Sequence, residues 1–127
     1  MAKQFEGFDI SMLALDDLSA KQWYLGTASS TDNTVDMADA VTEKLLGVIQ
    51  VGGTTGAAVS VRVAGHSKVI FGDTVAAGAS LTTDTSGRAV TQTPGTDTTT
   101  YLVGVCIVGG DTNEIGEMSV APGGRGA

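Results

Sequence analysis

Apolar and polar positions alternate along this chain in short runs that glycines interrupt. In "AAVSVRVAG", Val59, Val61 and Val63 are set against Ser60, Arg62 and Ala64, which puts the valines on one face of a strand. The preceding "LLGVIQV" is mostly apolar and ends at Gly52-Gly53, so the short "GGTTG" predicts a hairpin. The phrase then returns: "LVGVCIVGG" from Leu102 repeats "LLGVIQVGG" from Leu45, with leucine, glycine-valine and valine-glycine-glycine at the same offsets. Past each turn, "VSV" at Val59 to Val61 is matched to "MSV" at Met118 to Val120, which implies a second turn longer by two residues. Two similar hairpins in one small β-barrel or β-sandwich are expected, closed by strands between residues 66 and 90.

Elsewhere the pattern is weaker. "DLSAKQWYLGTAS" predicts a first strand around Trp23, Tyr24 and Leu25. The polar "STDNTVDMADAVTEK" reads as a surface loop with one extended segment and the composition for a short helix between Val35 and Lys44. "HSKVIFGDTVAAGASLTTDTSGRAVTQ" continues as short strands cut at Gly72-Asp73, at Ala77-Gly78 and by the "DTSG" turn at Asp84 to Gly87. "TPGTDTTT" is a polar loop and "EIGEMSVAP" a last strand. Residues 1–20 show no sustained period, although Phe5, Phe8, Ile10, Met12, Leu13 and Leu15 stand there. Such a segment either folds back on its own core or lies on another protein, and the second is expected. The chain thus divides into an arm (1–16), a barrel domain (17–122) and a flexible tail (123–127). Deleting residues 1–15 is expected to leave the barrel folded.

Composition supports a strand-rich domain: 127 residues suffice for one domain, and 18 glycines is roughly twice the usual share of about 7%. Fourteen acidic against seven basic residues give a formal charge of -7, which disfavours nucleic-acid phosphates. No apolar run approaches the ~20 residues of a membrane helix, and "MAKQFEGFDI" lacks a leader's hydrophobic region, so a chain made soluble in a cytoplasm is expected. The single Cys106 excludes an intrachain disulfide.

Candidate chemistry is thin. "VGGTTGAA" is glycine-rich but runs on into alternating valines, with neither the helix nor the lysine of a phosphate loop. His66, Ser67 and Asp73 lack a nucleophile elbow, so His66 reads as a surface or interface histidine. Asp32, Asp36 and Asp39 lack the central glycine and terminal glutamate of a calcium loop. No catalytic residue, metal or cofactor is expected. "FGDTVAAGASL", Phe71 to Leu81, resembles the turn rhythm of biotinyl and lipoyl carrier domains, but "TTDTSGRAV" offers no lysine to modify.

Taken together, "DLSAKQWYL", "LLGVIQVGGTTGAAVSVRVAGHSKVIFGDTVAAGASLTTDTSGRAV" and "LVGVCIVGGDTNEIGEMSVAPG" resemble the capsid decoration, or head cement, proteins of tailed bacteriophages over residues 16–122. The resemblance implies a β-tulip-like barrel with an extended N-terminal arm, a non-enzymatic structural protein that binds the outer face of the expanded head. It implies a homotrimer that contacts the major capsid protein, stabilises the capsid and touches neither nucleic acid nor membrane. The arm, through Phe5, Phe8, Ile10, Met12, Leu13 and Leu15, would lie on the capsid, and His66, Val69 and Phe71 are the candidate trimer interface. The alternative is a virion-surface module whose loops at 27–44 and 93–100 bind host-surface glycans.

Overall fold

The computed structural model describes residues 6–93 and 95–123, and among them only strands, turns and bridges form. The strands are β1 (Gly7–Ala14), β2 (Leu25–Ala28), β3 (Thr34–Met37), β4 (Gly47–Val51), β5 (Ala58–Ile70), β6 (Ser80–Thr83), β7 (Ala89–Thr91), β8 (Gly104–Val108) and β9 (Ile115–Val120). They run in the order β1-β3-β2-β4-β5-β9-β8-β6-β7, and an added β1–β5 pairing closes the first five into a barrel. The expected small barrel is therefore present.

The long β5 is shared between two rings. Its first half pairs with β4 and β1, and its second half, Gly65 to Ile70, pairs with β9. From β9 the sheet continues through β8 and β6 to β7, and a parallel bridge between Phe71 and Ala89 returns it to the end of β5. Each ring encloses its own core. Ala14, Leu18, Val35, Ile49, Val59 and Val61 fill the first. The second contains Val69, Phe71, Leu81, Val103, Cys106, Met118 and Val120.

The two rings are copies. In the first hairpin Val48 faces Arg62, Ile49 faces Val61 and Val51 faces Ser60; adding 57 to each number gives the second, Val105 to Ser119, Cys106 to Met118 and Val108 to Glu117. Gln50 and Ile107 are the extra residues of matching bulges, which bend each strand at the same point. The match in strand register is thus "VRV" to "MSV", with equal turns, and the two-residue insertion expected from "VSV" is absent. The outer strands obey the same shift: Ile10 to Val61 becomes Ser67 to Met118, and Met12 to Val59 becomes Val69 to Gly116. Even the left-handed turn residues correspond, Gly56 (φ 85°) with Asn113 (φ 66°) and Asn33 (φ 58°) with Gly87 (φ 72°).

Two sequence expectations are corrected here. Residues 7–14 are a strand of the first barrel, so the extended arm expected over 1–16 folds back on its own core from Gly7 onward. The reason was written in the chain: Ile10, Met12 and Ala14 recur at period two and turn inward onto the first core. A fork from Arg62 to Asp9, at 2.7 and 3.1 Å, fastens the strand as well. The helix allowed for between Val35 and Lys44 does not form, because Val35 is needed in the core and Val35, Asp36 and Met37 pair in extended form with β2. Phe5 lies outside the described residues.

Candidate interaction surfaces

Strand alternation decides which candidate residues can meet a partner. On β5, His66, Lys68 and Ile70 point outward, beside Ser119, Glu117 and Ile115 of β9 in register. Val69 and Phe71 have the opposite parity and are fully buried in the second core. They are corrected from trimer-interface candidates to core residues, since a side chain wholly enclosed within its own chain has no surface to offer another copy. His66 stays at the surface, its Nε2 3.0 Å from Glu117 Oε1.

The N-terminal candidates divide in the same way. Ile10 and Met12 are half-buried against the first core, whereas Phe8, Leu13 and Leu15 remain exposed, Phe8 at 65%. β5 occupies one edge of β1 along its length, but β3 occupies the other only at Leu13 and Ala14. The second edge of Gly7–Met12 therefore carries backbone groups that no strand pairs with among the described residues.

A second exposed apolar group lies outside the residues expected from the sequence to meet a partner. Val105, Ile107 and Val108 on β8 and Ile115 on β9 are all exposed, on the outside of the second barrel. Trp23, Lys68, Val108, Ile115, Gly116 and Glu117 border a shallow hollow of about 310 Å³ in this region. Lys68 Nζ lies 5.8 Å from the centroid of the Trp23 ring, a cation–π contact over the hollow. The signal available in the sequence was that "LVGVCIV" is apolar on both faces, which calls for cover on both sides.

The polar loop near residues 96–100 makes a second hollow, of about 330 Å³, with Val41, Thr82, Thr83, Val90 and Thr91 on its other walls. Thr82 Oγ1 is buried there without a hydrogen-bond partner among the described residues. The remaining chemical candidates are quiet. Among the described residues, no three His, Cys, Asp or Glu side chains gather closely enough to hold a metal ion. Asp36 has its carboxyl raised above the ordinary value by burial, with Asp16 and Asp39 nearby adding to the effect. Burial also pushes the Cys106 thiol up, which keeps it protonated and unreactive.

No protein-family profile and no curated protein matches the chain. Among solved structures, its fold is similar to that of the head fiber gp8.5 N base in bacteriophage phi29, with a TM-score of 0.67 at 17% identity. The likeness spans 92% of this chain and 96% of that one. At this identity it is a likeness of fold.

Proposed function

We propose that this chain is a structural, non-enzymatic protein of a tailed-phage head, of the decoration type, which binds the outer surface of the expanded capsid. The observation that carries the reading is the fold likeness to a phage head fiber base along nearly the whole of both chains. The exposed apolar side chains on a chain of net charge -7 support it, since apolar surface on an otherwise acidic molecule marks a protein interface.

Contact with the major capsid protein is assigned to the face of β1. Phe8, Leu13 and Leu15 supply apolar anchors, and the open edge of Gly7–Met12 offers backbone groups to which a capsid strand can add. Such addition gives affinity with little demand on sequence. Trimers on a repeated lattice sum weak single contacts by multivalency and thereby stabilise the head.

The test is co-sedimentation with expanded heads, followed by heat challenge of the decorated heads. Binding, raised heat resistance, and loss of both in Phe8→Asp are expected. Heads that neither retain the protein nor gain resistance would overturn the reading. The glycan alternative rests on the threonine-lined hollow, whose walls carry no aromatic platform for a sugar ring. Binding on a glycan array with no binding to heads would favour it.

A further inference from the structure

Two barrels built alike are exposed differently, and the difference locates an interface. In the first barrel the outward side chains of Leu45, Val48 and Gln50 are buried, because the second barrel sits on them. Gln50 Nε2 donates to Ser67 Oγ across this junction at 2.8 Å, and both side chains are buried. The equivalent residues of the second barrel, 57 positions on, are Leu102, Val105 and Ile107; Leu102 is half-exposed, and Val105 and Ile107 are 42% and 45% exposed.

The other side of the junction shows the complementary difference. Ser67, Val69 and Val120 of the second barrel are enclosed, at 0%, 0% and 2% exposure: Ser67 meets Gln50 of the first barrel, and Val69 and Val120 share one buried cluster with Leu25, Leu45 and Val48 of the first barrel as well as with residues of their own. Their equivalents Ile10, Met12 and Val63 in the first barrel are only half-buried. The chain therefore contains one complete junction and, at its two ends, the two halves of another. Both halves are apolar, and the positions of the polar pair Gln50–Ser67 of the internal junction are taken at the ends by Ile107 and Ile10.

We propose that these halves join between copies of this chain, the Leu102–Val105–Ile107 face of one copy against the Ile10–Met12–Val63 face of the next. The contact is head-to-tail, so it closes into a ring where the rotation permits, and a ring of three unites it with the trimer expected of a decoration protein. It is weaker than the internal junction for a visible reason. Inside the chain, Trp23 to Leu25 wedges into the second barrel, with Trp23 O accepting from Ile70 N–H and Leu25 N–H donating to Gly87 O. In the first barrel the corresponding seam is already shut by Leu13 N–H donating to Asn33 O, so side chains alone make the contact between copies. The inference rests on self-association, not on head binding.

The experiment measures the mass of the purified protein against concentration by sedimentation equilibrium, with Ile107→Gln, Ile10→Ser and the double variant, each checked for folding by circular dichroism. Wild-type protein is expected to form multiples of the 12.8 kDa chain. Each single change buries a polar group against an apolar partner and should weaken association roughly tenfold or more. The double variant recreates the Gln–Ser pair of the internal junction and should recover much of that loss. Ile107→Gln lies on an exposed surface and keeps the fold intact even if Ile10→Ser does not; in that case Val63→Thr replaces Ile10→Ser as the probe of the opposite face. Wild-type protein that stays monomeric to its solubility limit, or association indifferent to the change on either face, overturns the proposal. Heads take no part in this measurement, so its failure leaves head binding untouched, and the converse holds as well.

Discussion

Trp23 and Gly78 occupy the same place in the two barrels: both are left-handed, at φ 72° and 87°, and each donates its amide N–H over 2.8 Å to the carbonyl ahead of a bulge, Ile49 O and Cys106 O respectively. Glycine adopts this conformation freely, whereas tryptophan does so at a cost of about 1 kcal/mol or more. Trp23 is held there by Ile49, by Ile70 and by its contact with Lys68.

The pairing fixes the order of two substitutions. Trp23→Ala loses the ring and keeps the strain, while Trp23→Gly loses the ring and relieves it. Urea denaturation should therefore find the glycine variant more stable than the alanine variant by about 1 kcal/mol. In an ordinary strand the order would be reversed.

Deletion of residues 1–15 removes β1, and with it the strand that closes the first ring against both β5 and β3. The truncated chain should lose cooperative unfolding and the chemical-shift dispersion of the first barrel. This reverses the expectation drawn from the sequence, in which the same segment was a capsid-binding arm whose loss leaves the barrel folded and abolishes only capsid binding. A truncated protein with the wild-type melting transition would show that β1 adds nothing to the barrel.

Gly104 sits so close to β9 that a Cβ there would collide with Ser119 O and with the Met118 side chain, and Gly47 is placed in the same way against Arg62 O. Backbone cannot yield as a flexible side chain does. Gly104→Ala and Gly47→Ala should each cost at least about 3 kcal/mol in chemical denaturation. Gly56→Ala meets no such neighbour and should cost only the strain of its positive φ.

Asp36 gives a pH dependence. Its folded-state pKa is raised, first by burial, so the folded chain holds this proton more tightly than the unfolded chain does. Stability from this group consequently falls as pH rises from the unfolded value through the raised folded one, and the penalty persists above that window. Asp36→Asn removes the penalty, and the amide oxygen can still accept from the Met37 N–H that now donates to Asp36 Oδ1. The variant should be more stable than wild type at about pH 7 and equal to it at about pH 3. A gain of the same size at both values would assign the effect to something other than ionisation.

Strand content, the glycine turns and the doubled hairpin were legible in the sequence, because alternation and turn chemistry are local properties of a chain. So was the strand character of Ile10, Met12 and Ala14, although the neighbouring Leu13 and Leu15 masked its period. The sharing of β5 between two rings was not legible, nor was the parallel seam from Phe71 to Ala89, since pairing across the chain leaves no mark on local pattern. Val48 and Val105 show the limit most directly. They stand at the same place in the same repeated phrase and face their partner strands in the same register, yet one is fully buried and the other is 42% exposed. That both valines lie on a strand follows from local pattern alone. Which of them another barrel covers is a matter of packing between distant parts of the chain, because burial depends on what lies against a face and not on the face alone.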